Sequence, residues 1–486
     1  MPEPFAPAAA LAWTALAPLM AGAAAFLVGP RAARALGLAA AALTLAAVAV
    51  VTGAVWSGGT LRHAPGGWDA PLGIVLEADA LAALMLAMTA VVGAAVSVYA
   101  AAYFDPRSRD DAGSGAGFWP LWLTLWAGLN ALFVSGDLFH LYVTLEVLGL
   151  ASVALVALGG GAAVGAALRY LLVSIAGSLA YLLGLALLYA EYGTLALGAL
   201  AAAAQPGPAT WTAAALMSAG LALKTALFPL HFWLPPAHSS APAPVSALLS
   251  ALVVKASFYL VLRLWFTLAP AGVEAAAPVL GVLGAAAIVA GSLAALAQPR
   301  LKLLVAYSTV AQLGYLFVAF PLLAAGAVAL QGMVLHALAH ACAKAAMFMA
   351  AGNVLLAFGS DRLAELPRAG QGLRLSMTAF ALAGVSLIGL PPSGGFLAKW
   401  LLLTAAGETG QWAWAAVLLA GSLLAAGYVF RALRPVFRDP ESARAVKPLP
   451  LALELTPLIR AAAALALGLG AGAPLALLAA RPAAGG

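Results

Sequence analysis

The sequence is a succession of apolar runs separated by short polar hinges. Fourteen of the runs are long enough to cross a bilayer as a helix, which takes about 20 apolar residues. Hydrophobic residues make up 64% of the chain and charged residues only 8%, too few to cover a soluble surface of this size. The sequence therefore predicts an all-α polytopic membrane protein of about fourteen transmembrane helices. The approximate spans are 8–29, 34–56, 77–103, 118–135, 138–158, 166–190, 210–228, 244–268, 274–297, 302–321, 325–357, 373–406, 412–433 and 458–480.

The positive residues between the spans support this count, because cytoplasmic loops of membrane proteins are enriched in Lys and Arg. If the N-terminus is extracytoplasmic, sixteen such residues fall in cytoplasmic loops and three on the opposite side. We therefore expect a multi-pass protein of the bacterial cytoplasmic (inner) membrane with its N-terminus outside. The cytoplasmic set is Arg31, Arg34, Arg107, Arg109, Arg169, Arg300, Lys302, Arg362, Arg368, Arg374, Arg431, Arg434, Arg438, Arg444, Lys447 and Arg460, and the opposite set is Arg62, Arg263 and Arg481.

Composition and motifs exclude several other classes of protein. The net charge of +6 is not gathered into a Lys/Arg cluster with interleaved aromatic residues, so no nucleic-acid partner is expected. The first apolar run follows no basic segment, and we expect a retained span and not a cleaved signal peptide. A single cysteine, Cys342, excludes a disulfide framework and a thiolate metal cage. No nicotinamide, flavin or iron–sulfur motif occurs, so no cofactor is expected.

Four lysines, Lys224, Lys255, Lys344 and Lys399, fall inside the spans. A charge at the centre of a bilayer costs about 2.5–3.5 kcal/mol on insertion scales, and ionisable residues there mark ion pathways. For Lys255 the alternative is a side chain that snorkels to a nearby interface. For Lys399 it is an interfacial lysine beside Trp400, a residue typical of aromatic belts.

Two of the spans are interrupted by proline. The seventh carries Lys224 five residues before Pro229, and the twelfth carries Pro391-Pro392 followed by Lys399. Proline breaks a helix, and in lipid a broken helix is tolerated only where protein or a water-filled cavity satisfies the freed backbone groups. Two interrupted helices five spans apart, each with one lysine, predict two inverted five-helix repeats with broken helices 7 and 12. The expected divisions are helices 1–3 at 1–112, a first half-channel bundle at 113–270, a second, inverted one at 271–435, and a C-terminal loop and helix 14 at 436–486.

Glu146 lies mid-span with apolar residues on either side, too deep to be a helix-end carboxylate that reaches water. A buried carboxylate in lipid needs a cationic partner, and Lys224 is the natural candidate. Pairing favours the charged forms of both residues, whereas separation in a buried site favours the neutral lysine. A movable pair can therefore take up and release a proton. Asp137 begins the same span, where it either caps the helix or extends the relay.

His336, His340 and Lys344 recur at i, i+4 and i+8 and line one helix face. Neutral imidazole can accept and donate a proton at once, so this face is predicted to be a proton relay. A His pair at i, i+4 can also bind zinc, but no acidic residue lies between the two as in HExxH and no third ligand is near. No metal is therefore expected. His231 and His238 flank the first break, and either extend the relay or satisfy freed backbone carbonyls.

Several segments resemble the signature of a known family. They are KTALFPLHFWLPPAH followed by APAPVSALLSALVVKASFYLVLR, then HALAHACAKAAMFMAAGN, and finally GLPPSGGFLAKW. They look like the antiporter-like proton-translocating subunits shared by respiratory complex I, membrane-bound hydrogenases and multisubunit Mrp-type Na+/H+ antiporters. The resemblance covers nearly the whole chain and implies that it works only with other membrane subunits. The resemblance implies roles for seven residues. Glu146 matches the family's fifth-span glutamate, Lys224 its seventh-span lysine and Lys255 its bridging lysine. His336, His340 and Lys344 match its eleventh-span relay, and Lys399 matches its terminal exit residue.

Within the family, the segment SGDLFHLYVTLEV is similar to the D-type chain of Mrp antiporters. A lysine at Lys399, where the M-type complex I subunit has glutamate, argues against that branch. The length argues against the L-type complex I chain and the A-type Mrp chain. The sequence departs from the family at His140, where Asn is usual, and at Pro236, where most members have Asp.

The sequence thus predicts a proton-translocating subunit of a multisubunit Mrp-type cation (Na+)/proton antiporter, and not an enzyme by itself. The alternative is an N- or M-type membrane subunit of complex I (NADH:quinone oxidoreductase) or of a membrane-bound hydrogenase. A channel or solute carrier that works alone is a different class, against which the row of buried lysines argues. The expected partners are other membrane subunits, the lipid bilayer, H+ and Na+.

Overall fold

The computed structural model of the protein describes residues 7–68, 70, 73–105, 113–366, 372–437 and 448–480. These residues form helices joined by short connections and one small antiparallel strand pair, β1 Leu61–His63 with β2 Leu76–Ala78. The helices are α1 Pro7–Leu27, α2 Pro30–Gly58, α3 Ala80–Tyr103, α4 Gly113–Phe133, α5 Leu138–Ala157, α6 Ala162–Tyr192, α7 Leu197–Ala203, α8 Pro208–Thr225, α9 Leu234–Ser240, α10 Ala243–Leu248, α11 Val254–Thr267, α12 Ala277–Ala297, α13 Leu301–Leu322, α14 Ala327–Phe358, α15 Arg374–Ile388, α16 Gly394–Glu408, α17 Trp412–Leu433, α18 Leu451–Leu469 and α19 Gly472–Ala480.

Among the described residues, eleven helices are long and apolar enough to cross a membrane. The three remaining predicted spans are helical as well. They correspond to α4, to α8, which has 18 residues, and to the pair α15 and α16, which have 15 residues each. The protein is therefore an all-α, multi-pass membrane protein, as the sequence predicts.

Both predicted helix breaks are present. α8 ends at Thr225, because Ala226 adopts a left-handed conformation with φ of 60°, and helix resumes at Leu234 beyond Pro229. α15 ends at Ile388, where Gly389 has φ of 88°. These breaks place the lysines of both interrupted spans beside helix ends instead of helix middles.

The sequence does not predict a third irregularity, a π-helical turn at Leu249–Val253 between α10 and α11. A π turn accommodates an extra residue in an α-helix and frequently occurs at functional sites. Across this turn the Ser250 hydroxyl lies 2.8 Å from the Thr309 hydroxyl on α13. The turn ends two residues before Lys255.

Small residues allow neighbouring helices to approach closely. A Cβ atom on Gly284 of α12 would lie 2.6 Å from the carbonyl oxygen of Gly314 on α13, and one on Gly177 of α6 would lie 2.8 Å from that of Gly220 on α8. No side chain fits at these positions without separating the backbones. Such small-residue contacts are typical of helix packing in lipid.

Several positive residues assigned to loops lie in helices instead, and three of them contact other parts of the fold through their side chains. Arg460 is inside α18, which begins at Leu451 and not near residue 458, and it donates to the Val91 carbonyl of α3 at 3.2 Å. Lys302 belongs to α13 and is only 2% exposed, so it is no ordinary cytoplasmic anchor. Arg263 belongs to α11. The loop assignments of these three residues are wrong, although each residue lies within a predicted span, 458–480, 302–321 and 244–268 respectively. Arg107, Arg109, Arg368, Arg438, Arg444, Lys447 and Arg481 lie outside the described residues.

Arg263 ties α11 to α3 through a buried ion pair with Asp79. Its two terminal nitrogens contact the carboxylate oxygens at 2.5 and 2.6 Å, and its Nε donates to the Tyr259 hydroxyl at 2.7 Å. Asp79 also caps α3 by accepting the N–H of Ala82 at 2.8 Å. Burial alone would raise the pKa of Asp79, but the guanidinium outweighs it, so the pKa lies below its ordinary value of 3.8.

Asp79→Ala is expected to destabilise the fold by about 3–5 kcal/mol, because it leaves a buried guanidinium without its counter-ion. The double variant Asp79→Ala/Arg263→Met removes both charges and is expected to regain most of the lost stability. The measurement is the thermal unfolding of the purified protein. Equal losses in the two variants would contradict a paired role. Because the folded-state pKa is lowered, this stabilisation is complete above the ordinary value of 3.8 and is lost as pH falls through the lower folded value.

Candidate functional site: a buried row of lysines and histidines

Glu146 and Lys224 form an ion pair between α5 and α8. The lysine Nζ lies 2.9 Å from Glu146 Oε1 and donates to the Ser174 hydroxyl of α6 at 3.0 Å, while Ser178 donates to the same carboxylate oxygen. The lysine side chain is 5% exposed and the glutamate 28%. Lys224 lies in the last turn of α8, where the helix dipole favours a cation. The predicted pairing is present, and the two serines are partners that the sequence did not reveal.

Asp137 caps α5. Its Oδ1 accepts the N–H groups of Phe139 at 2.8 Å and His140 at 3.0 Å. The His140 Nδ1 in turn lies 3.0 Å from the Ser135 hydroxyl. The capping interpretation of Asp137 therefore agrees with its contacts, and no contact between it and the lysine row occurs among the described residues.

Lys255 is fully buried on α11, so it does not snorkel to an interface. Its Nζ donates to the Ser250 carbonyl at 2.7 Å. Ser250 lies within the π turn, where the backbone follows an i to i+5 pattern. The irregular turn thus supplies the acceptor that holds this ammonium group.

The predicted face of α14 is buried along its length. The rings of His336 and His340 are stacked with centroids 5.9 Å apart, and His336 Nε2 lies 3.1 Å from the Gln312 carbonyl of α13. Lys344 donates to the Val305 carbonyl at 2.8 Å and to the Ser308 hydroxyl. Neither ring nitrogen of His340 has a hydrogen-bond partner among the described residues.

Lys399 turns inward at the second helix break and is only 4% exposed, whereas Trp400 beside it is 56% exposed. The interfacial alternative for this lysine is therefore wrong. Its Nζ donates to the carbonyls of Leu387 at 2.8 Å and Ile388 at 3.1 Å. It also lies 4.2 Å from the ring centroid of Tyr315, a favourable cation–π geometry.

The two histidines at the first break differ in their contacts. His238 is fully buried and stacks on Phe348 at 4.6 Å, and its ring nitrogens have no partner in the described part of the chain. His231 packs beside Phe228 with ring centroids 5.4 Å apart and hydrogen-bonds the Pro229 carbonyl, as the alternative for the freed carbonyls predicted. Two other carbonyls of this region accept from different residues, since Trp233 donates to Leu223 at 2.9 Å and Lys302 donates to Ala241.

Two clefts open among the described residues. One of about 590 Å³ borders the first break and is lined by Arg169, Pro236, Ser239 and Arg300 among others. The Pro236 carbonyl accepts the Ser239 hydroxyl at 3.1 Å. A second cleft of about 970 Å³ includes Asp79, Asp137 and Arg263 in its walls.

Fold and site together define a polytopic membrane protein that carries a row of ionisable side chains through its interior. The sequence profile described as "NADH:quinone oxidoreductase/Mrp antiporter, TM" matches residues 135–425. The chain is 40% identical over 410 residues to the N-type NADH-quinone oxidoreductase subunit of Desulforudis audaxviator, covering 82% of this chain and 80% of that protein. It is 29% identical over 388 residues to the D-type Na(+)/H(+) antiporter subunit of Bacillus subtilis, covering 79% and 77%.

A chain in the structure of the Mrp complex from Dietzia sp. DQ12-45-1b matches with a TM-score of 0.87 and 27% identity over 96% of each chain. The protein belongs to the NADH:quinone oxidoreductase/Mrp antiporter transmembrane family. The resemblance inferred from the motifs is thereby confirmed.

If Glu146 and Lys224 interact, the losses of stability caused by replacing each of them do not add. Glu146→Gln and Lys224→Met are each expected to lower thermal stability, and the double variant is expected to lose less than the sum by about 1 kcal/mol or more. Glu191→Gln, at the exposed end of α6, is the control and is expected to have little effect. Strictly additive losses would argue that the two side chains do not interact.

Proposed function

We propose that this protein translocates protons along its buried side chains as one subunit of a multisubunit membrane complex. One observation carries the proposal. Lys224, Lys255, Lys344 and Lys399 are each at most 6% exposed, and each ammonium group has its acceptors inside the fold. Burying a charge in lipid is expensive, and ionisable side chains inside transmembrane segments commonly mark ion pathways.

The proposed route begins at the cleft beside Pro236, with His231 and His238 as secondary relay candidates. Protons then reach Lys224, pass through Lys255 to the face of α14 that carries His336, His340 and Lys344, and leave at Lys399. In this proposal residues 113–270 and 271–435 form two half-channels that join at mid-membrane. Water-filled segments complete the route where the side chains do not touch.

The Glu146–Lys224 pair is the proposed switch. While the carboxylate lies 2.9 Å from the ammonium, it favours the charged lysine. Movement of the carboxylate would leave Lys224 with the Ser174 hydroxyl alone and favour proton release. Events in a neighbouring subunit could supply that movement, because Glu146 is the more exposed member of the pair.

We infer that the parent assembly is a Mrp-type cation/proton antiporter in the bacterial cytoplasmic membrane, with Na+ as the coupled cation and the N-terminus outside. The match to a chain of the Mrp complex over 96% of both chains and the similarity to a D-type antiporter subunit support this choice. The excess of positive residues in one set of loops supports the orientation.

A second candidate is a membrane subunit of an NADH:quinone oxidoreductase. The 40% identity to an N-type oxidoreductase subunit is higher than the 29% identity to the D-type antiporter subunit, which favours this assembly. In that case electron transfer would belong to partner subunits, and this chain would still move protons by the same row.

Lys224→Ala is expected to reduce proton transport by at least about tenfold while the complex still assembles, because the carboxylate switch loses its partner. The measurement is dissipation of a pH gradient by the purified complex in proteoliposomes, with subunit composition checked by co-purification. Arg62→Ala, at an exposed position, serves as the control. Full activity of the Lys224 variant, or full gradient dissipation by the isolated subunit, would remove the proposed mechanism.

The two parent assemblies make different predictions for the native complex. An antiporter is expected to dissipate a pH gradient on addition of Na+ without any electron donor. A quinone oxidoreductase is expected to pump only when an electron donor and a quinone are supplied. Gradient measurements with each addition in turn therefore discriminate between them.

A further inference from the structure

The second helix break leaves backbone carbonyls available to side chains. The N–H groups of Gly389 and Leu390 both bond to the Val385 carbonyl, so the carbonyls of Leu387 and Ile388 at the end of α15 are left for other donors. Lys399 donates to both, at 2.8 and 3.1 Å, and to the Ser422 hydroxyl at 3.1 Å. Three acceptors match the three N–H bonds of a charged lysine.

Gln312 reaches one of the same carbonyls. Its Nε2 lies 3.3 Å from the Leu387 oxygen and 3.1 Å from the Tyr428 hydroxyl, and its own backbone carbonyl lies 3.1 Å from His336 Nε2. The side chain is 1% exposed. The Leu387 oxygen can only accept, so the amide nitrogen and not its oxygen must face it. Gln312 therefore stands between the histidine face of α14 and the acceptors of Lys399.

Release of a proton from Lys399 changes the hydrogen-bond balance at this point. A neutral amine has two N–H bonds, so one of its three acceptors loses a donor. A buried carbonyl without a donor is costly, but the Leu387 carbonyl has a second donor in Gln312. The amide thus keeps that carbonyl satisfied when the lysine becomes neutral.

We propose that Gln312 is a positioning residue for proton release at the second helix break, where its amide takes over the Leu387 carbonyl as Lys399 loses its proton. This inference rests on the proposed function, because it assumes that Lys399 changes its charge during transport. The Tyr315 ring acts in the opposite sense, since it attracts the ammonium form. Gln312 favours the neutral lysine, because its amide bonds the Leu387 carbonyl, and so acts against the attraction of the ring for the ammonium form.

Among the described residues, the titratable groups that face Lys399 come from two helices. Tyr315 lies on α13 and His336 and His340 on α14, while Tyr428 on α17 contacts the Gln312 amide that shares an acceptor with the lysine. Within the described residues, α15 contributes carbonyls, and neither α15 nor α18 adds a charged side chain that interacts with the lysine. If a Gln312 variant changes the pH dependence of proton release, the change therefore reports on the contacts between Gln312, the Leu387 carbonyl and Lys399.

The test uses the complete complex in proteoliposomes, with transport measured against pH on the release side. Gln312→Leu removes the second donor and is expected to slow transport about three- to tenfold near pH 7 and to move the half-maximal pH upward by about 0.5–1 unit, since one pH unit corresponds to a tenfold change. Gln312→Glu is isosteric, places an acceptor beside the ammonium, and is expected to cause a larger shift in the same direction. Gln331→Leu is the matched control, because that amide on α14 donates to a single carbonyl, Leu475, at 3.2 Å.

The inference is overturned if both Gln312 variants keep the native pH profile, if they lose rate equally at every pH, or if neither assembles. Lys399→Ala separates this outcome from failure of the proposed function. If Lys399→Ala still transports protons, the proposed route fails. If it abolishes transport while the Gln312 variants shift nothing, only the role of Gln312 fails.

Discussion

An ammonium group can remain in the interior of a membrane protein only if acceptors are fixed around it, and the interior of this protein is arranged to provide them. The four lysines differ in where their acceptors come from. Lys224 has a carboxylate and a hydroxyl, Lys255 a carbonyl of the π turn, Lys344 a carbonyl and a hydroxyl, and Lys399 the carbonyls of a helix end. Only Lys224 has a counter-ion among the described residues, so it is the lysine whose charge depends most on the position of another side chain.

The two helix breaks serve these lysines in opposite ways. At the first break the Leu223 carbonyl accepts the indole N–H of Trp233, and Lys224 donates to the Glu146 carboxylate and the Ser174 hydroxyl. At the second break the last carbonyls of α15 are open to Lys399, which needs no carboxylate. Both lysines lie beside a proline-interrupted helix. The ammonium group of Lys224 is held by an ion pair, whereas that of Lys399 is held by backbone carbonyls.

Much of this arrangement could be predicted from the sequence, because hydropathy and helix period depend on neighbours along the chain. The spans, both breaks and the inward face of α14 follow from such patterns. The Glu146–Lys224 pairing follows instead from the need of a buried carboxylate for a cationic partner. The hydroxyl partners Ser174 and Ser178 could not be predicted, since they lie on another helix and serine is common in spans. The contacts of Lys302 and Arg460 could not be predicted for a related reason. Both residues lie in predicted spans, but only the packing of the helices shows that Lys302 donates to the Ala241 carbonyl and Arg460 to the Val91 carbonyl.

The π turn before Lys255 has a consequence for movement within the membrane. The far end of α11 is held by the pair between Arg263 and Asp79, so α11 is fixed at one end and irregular at the other. If the turn lost its extra residue and became α-helical, the segment preceding it would rotate by about 100° and advance by about 1.5 Å. Lys255 would stay in place, whereas α10 and the chain that leads back to the first break would rotate about the helix axis.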